Sequence, residues 1–268
     1  MTWGSFGKVH LITLALAVAI NIIIYFILRR KTRSIQILSL FTLSLFGAGY
    51  VVYGLISSGA DIFKNLPLSF WAMSTLILPF AVLTRGKRIC NLLLIWSASS
   101  IIALVFNTAM ADTKVFSVEF IAYFIMHVLS AGIPILLFEL KLVHRYTKIA
   151  KSIILLTIFV FTVVHILNLV INSMNGWAVS DGVNYMSTLA PTSEILNFFY
   201  AIIPSPYWYM ILVLPLLLGY IVYWYLPEIL DERRRRKPLR EKLKDIDEYY
   251  EEYEEEYIDE IIDEKYDW

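Results

Sequence analysis

Seven long apolar runs constrain what this chain can fold into. A helix needs about 20 mostly apolar residues to cross the roughly 30 Å hydrocarbon core of a bilayer. Hydrophobic residues make up 58% of the chain and charged residues 17%, against about 45–50% and about 25% in soluble domains. We therefore predict an all-α, polytopic membrane protein built as a seven-helix bundle. The runs are 9–28, 35–58, 67–83, 89–107, 115–138, 150–173 and 206–227.

The basic residues between the runs predict an orientation. Lys and Arg concentrate in the cytoplasmic loops of membrane proteins. Alternate connections here are strongly basic, at 29–33, 85–88, 141–151 and 233–237, whereas the opposite ones carry only Lys8, Lys64 and Lys114. This asymmetry places the N-terminus outside and the C-terminus in the cytoplasm of a cell membrane. Because basic residues follow the first run directly, we expect that run to be a retained helix and not a cleaved signal peptide.

The connection 174–205 is long and lacks Lys and Arg altogether. Connections of this length are usually functional or disordered. Its aromatic residues would not remain free in water, so we expect it to lie on the outer face or dip into it. A short helix is predicted over 192–202, capped by Ser193 or Thr192. Aromatic residues near the run ends, among them Trp3 and Trp208, predict belts at the membrane interface.

The chain divides by composition into a transmembrane domain, 1–228, and a cytoplasmic segment, 229–268. Residues 245–268 hold 13 of the 23 acidic residues and a single basic one, Lys265. Apolar residues recur there at helical spacing. We interpret the tail as an amphipathic helix that docks on a protein partner with a basic surface. The alternatives are that the tail is disordered or that it folds back onto the chain's own basic loops. The stripe consists of Tyr250, Tyr253, Tyr257 and Ile261.

Polar residues within the apolar runs are the candidate functional residues, because polar groups in a membrane are costly. In the fifth run Glu119, Tyr123 and His127 share a face with Ser130, and the sixth run has a similar stripe. Either they line an outward polar cavity that binds a lipid or solute, or they hydrogen-bond between helices. We find no nucleotide-binding loop and no metal-ligand spacing, and so expect no cofactor, metal or nucleic acid. The candidate cavity residues are Asn107, Glu119, Tyr123, His165, Asn168, Asn172, Asn184 and Tyr185.

Three motifs carry a family resemblance. They are Gly-Val-Asn-Tyr-Met at 182–186, Pro191 followed by Ser193, and Pro-Tyr-Trp-Tyr at 206–209. Together with seven spans they resemble the YwaF-type family of bacterial integral membrane proteins, over roughly residues 10–227. The resemblance implies a bacterial membrane protein related to an animal lipid acyltransferase that uses a cysteine and a histidine. It also implies a link to androgen-induced-type hydrolases of fatty-acid esters. By position, the family histidine is His127.

One departure from the family pattern separates three functional hypotheses. The usual Leu-Pro-Leu-His-x-Cys reads Leu-Pro-Leu-Ser-Phe-Trp at 66–71, so Trp71 replaces the cysteine. An indole cannot attack an acyl group, and we therefore favour a non-catalytic membrane subunit or scaffold that docks a partner through its tail. The second hypothesis is a lipid acyltransferase or fatty-ester hydrolase with His127 as base and Ser69 or Ser74 as nucleophile. The third is a lipid-binding or small-solute transport protein.

Overall fold

The computed structural model describes residues 2–57, 59–106, 110–231 and 234, with the backbone alone at 59–61. Within these ranges the chain is helical, which confirms the predicted all-α class, and an isolated β-bridge joins Thr2 to Lys114. The helices are α1 (Lys8–Leu28), α2 (Arg33–Ser57), α3 (Phe70–Thr84), α4 (Lys87–Val105), α5 (Val118–Glu139), α6 (Ala150–Asn175), α7 (Glu194–Ile202) and α8 (Trp208–Asp231).

Six helices in the described ranges are long and apolar enough to cross a membrane: α1, α2, α4, α5, α6 and α8. The third predicted span is the exception. It forms α3, which has 15 residues and is therefore about 22 Å long. Ser69 caps its start by accepting a hydrogen bond from the Ala72 amide, and Arg85 ends it in a left-handed conformation. Length alone thus supports six spans, and the seventh remains a prediction.

Helix α5 lies at the centre of the bundle. It packs against α1, α2, α3 and α4, and α4 in turn packs against α3 and α6. Every residue from Met126 to Pro134 is buried, whereas α1, α2 and α6 bury only a narrow stripe and leave large apolar side chains exposed. Polar side chains in the middle of α5 are therefore enclosed by protein.

The residues before α1 fold back onto the bundle. The Trp3 and Gly4 amides donate to the carbonyls of Thr113 and Ala111 at 3.0 and 2.8 Å. The Trp3 side chain is only 1% exposed, and its indole N–H donates to Thr13 Oγ1 at 2.7 Å. The expectation of an interfacial Trp3 is therefore wrong, because a threonine of α1 supplies the partner that the headgroup region would supply at an interface.

The chain divides into two compact units, Met1–Val222 and Tyr223–Trp268. All side chains considered below belong to the first unit. Two sets of predicted functional residues lie outside the described residues: Asn107, and the tail stripe of Tyr250, Tyr253, Tyr257 and Ile261.

Candidate functional site

His127 is a buried imidazole with one nitrogen satisfied. Its side chain is 1% exposed, and Nδ1 lies 2.8 Å from the Tyr123 carbonyl oxygen one turn earlier in α5. A carbonyl only accepts hydrogen bonds, so Nδ1 carries the proton and Nε2 presents a bare lone pair. Nε2 is buried and has no hydrogen-bond partner. His127 is therefore held in the tautomer that leaves an acceptor facing the protein interior.

Two aromatic rings flank this imidazole. The Tyr123 ring centroid lies 4.0 Å from that of His127, and the Trp71 centroid lies 4.8 Å away. The Tyr123 hydroxyl donates to the Ala103 carbonyl at 3.1 Å and so ties α5 to α4. The indole of Trp71 thus packs directly against the histidine.

The candidate serines lie at different depths in α3. Ser69 occupies the N-cap, where its hydroxyl accepts from the Ala72 amide at 3.3 Å. Ser74 is buried, and its hydroxyl has no hydrogen-bond partner. Ser130 of α5 pairs instead with Thr75, at 2.5 Å between the two hydroxyl oxygens. Neither Ser69 nor Ser74 is hydrogen-bonded to His127.

Ser100 of α4 completes a central polar region. It is fully buried, and its hydroxyl, like that of Ser74, has no partner. We call the region where α3, α4 and α5 meet the central seam. Its unpartnered atoms are Ser74 Oγ, Ser100 Oγ and His127 Nε2.

The polar stripe of α6 fixes the following connection in place. Two hydrogen bonds join the Asn172 side chain to the Val183 backbone. The Val183 amide donates to Asn172 Oδ1 at 2.7 Å, and Asn172 Nδ2 donates to the Val183 carbonyl at 2.9 Å. Asn168 pairs in the same way with the Tyr185 backbone and also donates to Thr188 Oγ1. A Cβ at Gly182 would collide with Asn172, so only glycine permits this approach.

Further hydrogen bonds hold the connection in place, some within it and some to the segment that joins α2 to α3. Asn184 accepts from the Leu189 amide and donates to the Ala190 carbonyl at 2.9 and 2.7 Å. The Tyr185 hydroxyl donates to the Phe63 carbonyl and accepts from the Leu66 amide. Burial raises the pKa of Tyr185, an effect that the hydrogen bond from Leu66 partly opposes. Asn168, Asn172, Asn184 and Tyr185 thus bind the chain's own backbone.

The remaining candidates are His165 of α6 and Glu119 of α5. The His165 ring packs on that of Tyr207 at 4.9 Å between centroids, and its Nδ1 is buried without a partner. Glu119 is exposed in the first turn of α5, where its negative charge complements the helix dipole. The predicted helix after Pro191 is present as α7, capped by Ser193.

An apolar groove of about 670 Å³ runs between α1, α4 and α5. Its polar lining residues are Asn21, which donates to the Ala17 carbonyl, and Glu139, which pairs with Arg145 at 2.6 Å. Arg29 lies at the same end of the groove, with its guanidinium 5.1 Å from the centroid of the Phe26 ring. The apolar lining includes Leu14, Ala17, Val18, Ile22, Tyr25, Phe26, Ile101, Leu104, Val105, Val128, Ala131, Gly132, Ile135 and Leu136.

The sequence offered a partial signal for this groove. Asn21 interrupts an apolar run of α1, and Gly132 interrupts one of α5. The Asn21 side chain lies against Gly132, where a Cβ would have no room. A polar residue opposite a glycine marks a close crossing of two helices, but only the structure shows that a groove opens beside it.

Comparison with protein families gives one match. The family model described as "TMEM164 family" matches residues 5–225 of this chain. No curated protein and no solved structure matches it. The matched region contains the central seam, the groove and the connection after α6.

Proposed function

The chain belongs to the TMEM164 family, a family of multi-pass membrane proteins. We propose that it is a non-catalytic, lipid-binding subunit of a protein complex in a bacterial cell membrane. In this proposal it spans the membrane seven times, with its N-terminus outside and its C-terminus in the cytoplasm. The observation that carries the proposal is the groove between α1, α4 and α5. Three helices of spanning length, α1, α4 and α5, form its walls, so we expect the groove to be open to lipid chains and not to water-soluble ligands.

The chemistry of the groove matches a phospholipid. Its long apolar wall fits an acyl chain, which gains free energy from close packing. Arg29 and the Arg145–Glu139 pair lie near one end, where a guanidinium can bind a phosphate. We therefore place one chain in the groove and the headgroup beside these arginines.

Two neighbouring residues of α1 provide the test. Ile22 lines the groove, and Ile23 does not, while the two are 49% and 56% exposed. Ile22→Trp should displace the lipid, whereas Ile23→Trp should leave it bound. Native mass spectrometry of protein released from nanodiscs measures bound phospholipid directly. Equal lipid retention by the two variants would refute the groove as the binding site.

The absence of a nucleophile beside His127 supports a non-catalytic role. Acyl transfer through a covalent intermediate needs a nucleophile within hydrogen-bond reach of its base. The indole of Trp71 packs on His127, at the position where the resemblance implied a cysteine, and His127 Nε2 contacts no hydroxyl at hydrogen-bond distance.

A second candidate, a membrane-embedded lipid acyltransferase or ester hydrolase, is favoured by the fixed tautomer of His127. An acceptor Nε2 anchored through Nδ1 has the orientation of a general base, and Ser74 lies on the adjoining helix. Purified protein would then hydrolyse a fatty-acid ester, and His127→Gln would abolish the reaction while Ser69→Ala would not. Turnover equal to that of empty nanodiscs removes this candidate.

We further propose that the acidic tail recruits the partner. The support comes from charge and periodicity, since 13 acidic residues accompany a Tyr/Ile stripe at helical spacing. Anionic lipids repel such a segment, so we do not expect it to bind the membrane surface. Deleting 245–268 should leave the bundle folded and remove a co-purifying protein. Identical proteins recovered with and without the tail would favour folding back onto the basic loops.

A further inference from the structure

Helix α7 is too short to cross a membrane. It has 9 residues and is therefore about 14 Å long, whereas the hydrocarbon core is about 30 Å thick. It lies in the second half of the connection after α6 and packs against the first turns of α8, residues 208–213. None of the residues of α7 is buried, yet most of its side chains are apolar. Apolar surface left in water is costly, so these side chains need an apolar environment outside the bundle.

One side of α7 meets the protein and another side is polar. The Tyr200 ring contacts that of Tyr209 in α8, edge to face, at 5.3 Å between centroids. Glu194, Asn197 and Ala201 are exposed and fall within about 60° of one another around the helix axis. We call these three residues the polar strip. It faces away from the bundle and suits contact with water.

A second strip, apolar and open, runs along α7 beside the polar strip. Phe198 and Ile202 lie one turn apart on the same face and are 62% and 55% exposed. Helical geometry places them on the opposite side of α7 from Tyr200, so the contact with α8 leaves them uncovered. We call these two residues the open strip.

The start of α8 marks the level at which α7 lies. Helix α8 has 24 residues and is about 36 Å long, so its first turns lie near one boundary of the hydrocarbon core. Trp208, its first residue, is 61% exposed, and tryptophan is enriched at that boundary. Because Tyr200 contacts Tyr209, α7 lies at the same level as these turns.

We infer that α7 is an interfacial membrane anchor, which lies along the membrane–water boundary beside α8 and inserts Phe198 and Ile202 among neutral or zwitterionic lipids. Charge favours this class of lipid. Helix α7 contains Glu194 but neither Lys nor Arg, so anionic headgroups do not attract it and burial of apolar area must hold it in place. The open strip is a different surface from the groove, and the inference does not depend on the lipid proposed to bind there.

The size of the open strip favours a lipid leaflet over a protein partner. A stable protein interface buries about 800 Å² on each partner, from about 20–30 residues, whereas this strip consists of two side chains. A fluid leaflet needs no matching shape, and each inserted side chain gains free energy by its own burial. Since α8 enters the bilayer beside this strip, lipid is already present at its level.

This anchor holds the connection at its second end. Near α6 the backbone of the connection is bonded to Asn168 and Asn172. Insertion of the open strip adds an attachment to lipid about 20 residues further along the chain, before α8 begins. The connection is thus held between a protein contact and a lipid contact.

Spin labels on the full chain in phosphatidylcholine nanodiscs test the placement. Single nitroxides are introduced in a Cys90→Ala background, on the open strip at Phe198→Cys or Ile202→Cys and on the polar strip at Asn197→Cys or Ala201→Cys. Labels on the open strip should be more accessible to oxygen, and less accessible to a water-soluble nickel chelate, than labels on the polar strip. Equal accessibility at all four positions, or the reverse difference, overturns the inference.

Hydrogen exchange in the same nanodiscs gives a second test without labels. A variant that combines Phe198→Ser with Ile202→Ser should exchange the α7 amides about tenfold faster than the native protein, because it loses the burial of two large side chains. The matched control combines Asn197→Ser with Ala201→Ser and should exchange at close to the native rate. Equal acceleration in both variants, or acceleration in neither, overturns the inference.

Discussion

The connection after α6 and the central seam are both polar regions within an apolar bundle, yet they differ in how their polar groups are used. Asn168 and Asn172 are each bonded through both side-chain atoms to the connection's backbone. Ser74, Ser100 and His127 each keep an unpartnered atom. The asparagine amides are satisfied by the irregular backbone opposite them, whereas the three seam atoms have no hydrogen-bond partner within the described residues.

Two histidines repeat this contrast. His10 accepts from the Phe6 amide at Nδ1 and donates to the Leu104 carbonyl at Nε2, at 2.9 and 2.8 Å. His127 has only its Nδ1 contact. Both are buried, so burial does not distinguish a structural imidazole from a candidate site. The unpartnered Nε2 of His127 is what distinguishes the two histidines.

The largest expected effect concerns the connection's position outside the cell, which labelling with an impermeant reagent measures. In a Cys90→Ala background, Asp181→Cys in the connection should react fully with a membrane-impermeant maleimide, and His144→Cys should not react. Both positions are exposed, and the first avoids Gly182, where a side chain has no room. Labelling of His144→Cys but not of Asp181→Cys would show that the orientation is the opposite of the predicted one. Labelling of both or neither would require a lysed-cell control.

The next largest effect concerns the attachment of the connection. Asn172→Ala leaves the buried Val183 amide and carbonyl without their partner, so the free energy of unfolding should fall by about 2–4 kcal/mol. Hydrogen exchange at the Val183 amide should also accelerate. Asn175→Ala is the control, because that amide donates only to the Ile171 carbonyl of its own helix. Equal effects of the two variants would contradict the structural role given to Asn172.

A smaller difference should separate the two histidines. His10→Phe leaves the Phe6 amide and the Leu104 carbonyl without their partner, and should lower the free energy of unfolding by about 1–3 kcal/mol. His127→Phe should lower it less, because the Tyr123 carbonyl lies within the regular hydrogen bonding of α5 and the ring can still pack against Trp71. Denaturation in mixed micelles measures both variants. A greater loss for His127→Phe would remove the contrast.

These comparisons show how far the sequence leads. Run lengths predicted the helices because hydrophobic matching to a bilayer is a property of single segments. The cap at Ser193 and the short helix α7 followed from local chemistry in the same way. The polar stripe of α6 predicted a shared face but could not show what lay opposite it, and the structure places the connection's backbone there.

The sequence singled out His127 and Ser74 but could not show which of their atoms lack partners, for the same physical reason. Ser97 bonds Tyr220 and Ser99 bonds Trp96, while Ser100 bonds nothing. The three residues are identical in type and lie within four positions of one helix. Ser97 reaches another element and Ser99 a carbonyl of its own helix, so residue type and position in α4 do not predict the partner. Trp3 was missed similarly, since its partner Thr13 follows only once the preceding residues fold back.

The smallest expected effect is a pH dependence at Tyr185. Burial raises its pKa above the usual 10.0, so the folded state retains this proton more strongly than the unfolded state does. Its contribution to stability is therefore complete below about pH 10 and is lost as the pH rises from the unfolded pKa through the folded one. Ionisation would remove the hydroxyl proton that Tyr185 donates to the Phe63 carbonyl. The stability difference between the native protein and Tyr185→Phe should consequently narrow above about pH 10. Thermal unfolding of both proteins across this range measures the difference, and the subtraction cancels the titration of other tyrosines. A constant difference would mean that the attachment of the connection does not depend on this proton, and that the asparagine contacts alone distinguish it from the central seam.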